Sequence, residues 1–387
     1  MRVLIIFLLL CLTLFACREK FVLPVKSPPA GYLVVEGFIN CGPGPTDIKL
    51  SRSNIVSDQT IHYETGASVQ VEGNDNSVYG LSESGPGIYH SDQLHLSNAQ
   101  QFRLRIKTTD GHEYLSDFTP TVFTPPIDSV NWTRNNAADG IQIYVNTHDP
   151  SNLSRYYKWE YEETWEIHMS YVPKLKYDTI NYEYPIPRRI LVASILPDSS
   201  YYRCWTSDTS ASLLLGSSAR LSEDIIQNFP LALIPPASVK LSVKYSINVK
   251  QYALTKDAYD FLEIMKKNTE ETGSIFDPQP SELKGNIHNT NDPSEIIVGY
   301  ISTSSLQQQR IFISNDQVPN WNYDPQCSLT SISNQDTVKV KQAESAGYIP
   351  IMPDAQIPDT IISFFGASPL CADCRKTGFL KKPAFWQ

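Results

Sequence analysis

The chain has 387 residues, 19% of them charged, and a formal charge of −9, which is long enough for two domains with their own cores. That acidity argues against a nucleic-acid partner, which needs a basic face. No block of one sign occurs, so the charge reads as solubility rather than as a charged tail.

At the N-terminus Arg2 precedes the apolar run Val3 to Leu12, and Leu14-Phe15-Ala16-Cys17 follows. A basic start, a short apolar core and small residues at a cut site are the build of a secretory signal. The run falls short of the roughly 20 apolar residues that span a bilayer. Leu-x-Ala-Cys resembles a bacterial lipobox, so residues 1–16 are expected to be removed and Cys17 to be acylated. Stable anchoring takes more than one acyl chain, and a lipoprotein cysteine supplies that. Residues 17–30, proline-rich from Phe21 on, read as a lipidated tether that lifts the folded part off the membrane.

From Gly31 the pattern turns to strands. Ala67, Val69 and Val71 alternate with polar residues, as do Phe102, Leu104 and Ile106, and Asp110-Gly111 offers a hairpin turn. Residues 31–124 are expected to form an Ig-like antiparallel β-sandwich. Pro125-Pro126 reads as a hinge into a larger β-sandwich-like domain over 125–387. There Ile141 to Val145 alternate, and Tyr157, Trp159, Tyr161, Trp165, Ile167 and Met169 share one face of a long strand, broken only by Glu163. A third strand is expected from Val239 to Val249. One amphipathic helix, near 255–271, starts at Thr255, carries Ala258, Phe261, Leu262 and Met265 on one face and stops at Gly273. Gly299-Tyr300-Ile301 and Arg310 to Ile313 read as further strands. From Asn315 the periodicity fades and an irregular C-terminal segment is expected. The whole is mainly β.

An export signal implies an oxidising compartment. Past Cys17 the chain holds Cys41, Cys204, Cys327, Cys371 and Cys374, an odd number that leaves a thiol free. A disulfide is expected from Cys327 to Cys371 or Cys374. Cys371-Ala-Asp-Cys374 lacks the helix and βαβ context of a redox pair, and no histidine stands near it for zinc. Ser281-Glu-Leu-Lys284 and Lys376-Thr377-Gly378 match short motifs of penicillin-binding proteins, but Pro280 and Gly285 deny the serine its helix. Asp292 and Glu295, beside Asn289 and Asn291, read as a solvated turn rather than a calcium loop. No catalytic set, metal or cofactor is expected. Tyr171, Tyr177, Tyr182 and Tyr184 lie in a proline-rich segment and are candidates for contact with a partner or a glycan.

Several stretches together resemble a family of Bacteroidota lipoproteins, the domain of unknown function 4249. They are LVVEGFI, PPIDSVNW, RCW near Cys204, LLLGSS, YSINVKQYALTKDAYDFL, GSIFDPQPSELKGNIHN and CADCRKTGFLKKPAFW. The resemblance implies an outer-membrane lipoprotein, commonly associated with TonB-dependent transporters, and it brings no catalytic residue. Arg18-Glu19-Lys20 is mixed in charge rather than acidic, which leaves open whether the anchor faces the cell surface or the periplasm. The expectation is a non-enzymatic transporter accessory in cargo capture or uptake. The alternatives are a self-sufficient glycan-binding lipoprotein and, behind it, a hydrolase.

Overall fold

Period-two burial assembles the first unit. Along Gln101–Lys107, Phe102, Leu104 and Ile106 are buried and their neighbours are not. Leu33–Gly37, Thr46–Arg52 and Ser68–Gly73 follow similar patterns, so each strand turns one face inward. The inward faces close a core that includes Leu33, Ile48, Leu50, Val71, Phe102 and Tyr114. The structure, a computed structural model, describes residues 31–54, 58, 60–96, 101–136, 138–178, 191–270, 283–358 and 360–387.

A unit ending at residue 124 leaves that core incomplete, because the chain returns to it much later. Ile287–Asn289 pairs antiparallel with Glu113–Ser116. Thr303–Ser304 runs parallel between Thr119–Val122 and Ile39–Asn40, and Ile287, Ile297 and Ile301 join the core. With these strands the first sheet system has 12 strands among the described residues. Gly299-Tyr300-Ile301 is not itself a strand. Gly299 sits at φ 149°, and a Cβ there would lie 2.3 Å from the carbonyl oxygen of Val35, so only glycine lets the two backbones meet.

In the second unit the three strands Ile127–Thr133, Ile141–Asp149 and Asp224–Ile234 form one sheet. A five-stranded sheet is built on Tyr156–His168 and Lys244–Leu254, flanked by Arg203–Thr209, Leu214–Ser217 and Leu306–Ser314. Ile143 and Val145 from the first meet Trp159, Ile247 and Val249 from the second in one core. Glu163 turns into that side, pairs with Lys240 and accepts from the Tyr245 hydroxyl at 2.8 Å. The strand expected from Val239 begins instead at Lys244. Ser238 caps a short 3-10 turn at Val239–Leu241, its hydroxyl accepting from Lys240 N.

The helix spans Lys256–Glu270, with the Thr255 hydroxyl accepting from Ala258 N at 3.2 Å. Ala258 and Phe261 are buried, Ala258 in a cluster with Tyr252 and Leu254. A fully buried Phe contributes about 1.5–3 kcal/mol. Gly273 lies outside the described residues. No helix among the described residues is long and apolar enough to cross a membrane.

The C-terminal segment is more regular than its sequence suggests. Leu329–Ser333, Thr360–Ala367 and Ile349–Ile357 form a three-stranded sheet, and Asp336 caps a helix at Thr337–Ser345. The edge strand carries Pro350 and Pro353 and slips register three times, which is why it shows no clean alternation; prolines are tolerated at such edges. Cys327 is joined to Cys371. Cys374, the other partner considered for Cys327, is joined to Cys204, because the C-terminal turn docks on that strand through Cys374 N to Tyr201 O and paired bonds between Trp205 and Phe379. Cys41 remains a buried thiol, pushed up to about 11 by burial.

The expected hinge at Pro125-Pro126 is locked. Gln251, 0% exposed, donates to Pro125 O at 2.8 Å and to the Thr147 hydroxyl at 2.9 Å. Its carbonyl accepts from Trp159 Nε1 at 2.8 Å. Beside it the Thr124 hydroxyl accepts from Ala253 N at 2.9 Å, and the Ser304 hydroxyl donates to Ala253 O at 2.8 Å. Phe38 meets Tyr252 edge-on at 4.7 Å. Buried polar groups with all partners present rigidify a contact, so the two sandwiches are fastened together.

Candidate functional site

The strand Ile141–Asp149 is the middle of the three-stranded sheet. Its odd-numbered residues are buried and its even-numbered ones, Gln142, Tyr144, Asn146 and His148, are half-buried or exposed on the outer face. Against Asp224–Ile234 the pairing slips: Val145 opposes Phe229 but Thr147 opposes Ile226. Gln227 and Asn228 therefore share the single residue Asn146, the two-against-one count of a β-bulge.

Asn228 adopts φ 51°, a left-handed conformation that asparagine tolerates better than most residues. It is held there by Asn146, whose Oδ1 accepts from Asn228 N at 2.6 Å. Asn146 is fixed in turn by donating to the Ser129 hydroxyl at 3.0 Å, which Asn131 also reaches at 3.0 Å. One position further along, His148 Nδ1 meets the Asp128 carboxylate at 2.8 Å. That hydrogen bond, the largest cause, raises the imidazole above its usual value. Asp128, Asn146, Thr147, His148, Gln227 and Asn228 line a cleft of about 330 Å³, walled on its apolar side by Ile225, which is 37% exposed.

The cleft can hydrogen-bond. The hydroxyl of its lining, on Thr147, donates to Pro126 O at 3.0 Å and accepts from Gln251 at 2.9 Å, and the Ser129 hydroxyl behind Asn146 is already an acceptor for two amides, its described contacts not including His148. A nucleophile needs its base within hydrogen-bond reach. A second concavity, about 390 Å³, lies between Glu72, Asn74, Asn76, Arg103 and Phe118. Its Arg103 is held by Glu72 at 2.7 Å and stacks over Phe118 at 4.7 Å. Elsewhere Glu166 is buried but saturated, by Arg203 at 2.6 Å, His168 at 2.7 Å and Trp386 Nε1 at 3.1 Å.

Of the residues singled out in the sequence, Cys17, Tyr182, Tyr184 and Ser281 lie outside the described residues. Tyr171 and Tyr177 serve packing. Their hydroxyls donate to Cys327 O at 3.1 Å and Tyr348 O at 3.0 Å, their rings rest on the C-terminal unit, and burial pushes Tyr177 up to about 12. Lys376-Thr377-Gly378 belongs to the turn docked on Trp205 and Thr206. Asn289 Oδ1 accepts from Asn291 N and Asp292 N, and Glu295 accepts from Tyr114 and Asn289, which is a closed turn. Among the described residues no group of three His, Cys, Asp or Glu is placed to hold a metal. The cleft residues escaped the sequence reading: alternation marks His148 and Asn146 as outward-facing, but nothing local announces the bulge at Asn228.

A family model described as Domain of unknown function (DUF4249) matches residues 18–310. The chain belongs to that family. The family match takes in the first sandwich, the locked linker and the cleft, and it ends within Leu306–Ser314, before the C-terminal sheet. No curated protein matches the chain. Among solved structures, a trypsin-activated alpha-2-macroglobulin from Escherichia coli is 11% identical, with 61% of this chain and 15% of that chain covered and a TM-score of 0.17. A Salmonella alpha-2-macroglobulin mutant is 12% identical, with 59% and 14% covered and a TM-score of 0.16. This chain thus spans about 15% of the length of the structures it matches, and likenesses of that quality carry no argument about its fold or role.

Proposed function

We propose that this member of the DUF4249 family is a lipid-anchored, non-enzymatic accessory of the outer membrane that helps a TonB-dependent transporter capture or admit its cargo. The observation that carries the reading is Cys17 at the end of a lipobox-like signal. The Cys204–Cys374 and Cys327–Cys371 disulfides support it, since such bonds persist in exported proteins and are rare in a reducing cytosol. The fastened sandwiches suit a rigid body that presents a surface at a fixed height above a membrane. A second reading, a self-sufficient glycan-binding lipoprotein, draws on the free amides of the cleft rather than on Tyr171 and Tyr177.

Affinity isolation of the lipidated full chain from native membranes tests the leading reading. A barrel transporter is expected to co-purify, and Cys17→Ala is expected to release the chain from the membrane fraction. Recovery of the lipoprotein alone from gentle detergent would contradict the transporter role, and a membrane-bound Cys17→Ala would contradict the anchor.

A further inference from the structure

We propose that the bulged cleft on the outer face of the three-stranded sheet binds a neutral polyhydroxylated ligand, the chemistry of a glycan residue. The proposal rests on the reading of cargo capture only in naming what the captured cargo presents.

Four observations converge. First, the cleft, about 330 Å³, lies at the small end of ligand sites, the size class of one or two sugar rings rather than of an extended cofactor. Second, its rim carries hydrogen-bonding capacity that the protein leaves unused. The side-chain amides of Gln227 and Asn228 have no protein partner among the described residues, and with Nδ1 bound to Asp128, His148 keeps Nε2 for a ligand. Planar groups that donate and accept side by side match vicinal hydroxyls, which also donate and accept. Third, the exposed Ile225 side chain gives the apolar C–H face of a sugar ring a surface to rest on. Fourth, the strand accepts a left-handed Asn228 and a broken ladder to point these groups outward. Bulges re-aim side chains in this way beside binding sites, and backbone strain of this kind clusters there.

The same lining disfavours other ligands. No lysine or arginine stands among the lining residues, and the His148 imidazole is already paired with Asp128 at 2.8 Å, so phosphorylated or sulfated groups find no unpaired counter-charge there. No Phe, Tyr or Trp ring lines the cleft to stack a nucleobase.

Saturation-transfer NMR on the full chain, with a panel of neutral hexose, pentose and N-acetylhexosamine oligosaccharides and of sialylated and sulfated ones, tests the proposal. Transfer is expected to neutral members. Gln227→Ala with Asn228→Gly is expected to weaken it at least tenfold, and Tyr177→Phe to leave it unchanged. Asn228→Gly suits the left-handed backbone, so the variant keeps its fold, which circular dichroism verifies. His148→Gln is a second variant expected to weaken transfer without touching the bulge. No transfer from the neutral panel to folded protein would overturn the proposal. So would transfer indifferent to both cleft variants, or a preference for the anionic members. Transporter association is read separately. Sugar binding without a transporter removes only the accessory reading, and a transporter without sugar binding removes only this one.

Discussion

Two regions of the second sandwich handle amide side chains in opposite ways. Where the linker enters, Gln251 is 0% exposed and both ends of its amide are engaged, by Trp159 on one side and by Pro125 and Thr147 on the other. On the outer face, Gln227 and Asn228 are exposed, and Asn228 is held in a left-handed turn by its backbone N–H alone. A buried amide must find its partners inside the protein or destabilise it. An exposed one has water, so a strained backbone that presents it is not explained by packing. The first region is built for stability, and the second holds its groups in reserve for something outside the chain.

Breaking the first region has the largest expected effect. Gln251→Ala leaves Trp159 Nε1 and Pro125 O buried without their partners, which costs about 3–5 kcal/mol. Urea unfolding reads this as a lower midpoint at unchanged slope. Next comes the covalent tie of the C-terminal segment, between residues 170 apart in sequence. Cys204→Ser with Cys374→Ser is expected to cost about 2–5 kcal/mol and to make the segment after residue 374 the first site of proteolysis.

Asp149 gives a third, smaller effect at the turn below the cleft. Burial raises its carboxyl, but the Ser151 hydroxyl and the N–H groups of Ser154, Ser151 and Leu153 outweigh that and hold it at about 2. A depressed folded value means stability that is complete above the ordinary value of 3.8 and lost as pH falls from there toward about 2. Wild type should lose stability across that window, and Asp149→Asn should show a flatter profile. The smallest effect sharpens the contrast: Asn228→Gly removes strain and adds chain entropy, so unfolding free energy should move by no more than about 0.5 kcal/mol.

Much of the frame was legible. Gln101–Lys107, Ile141–Asp149 and Tyr156–His168 alternate as half-buried strands must, and Lys256–Glu270 shows its cap and its apolar face. What stayed hidden is non-local. Thr303–Ser304 is too short to carry a period and becomes a strand only because the first sandwich lies on both sides of it. Cys204 and Cys374 pair through a docking of distant segments. Gln251 looks like any polar residue on a strand until Pro125 and Thr147 are brought over it. Asn228 shows no sequence mark at all, since a bulge is a property of two strands and the register between them.

The contrast between the regions is tested most directly by thermal unfolding of wild type, Gln251→Ala and Asn228→Gly/Gln227→Ala, each with and without the neutral oligosaccharide that gives the strongest saturation transfer. The expected result is that Gln251→Ala melts well below wild type yet is still raised by the sugar, while the cleft variant melts with wild type and is not. A cleft variant that melts as low as Gln251→Ala, or that the sugar still stabilises, would contradict the account.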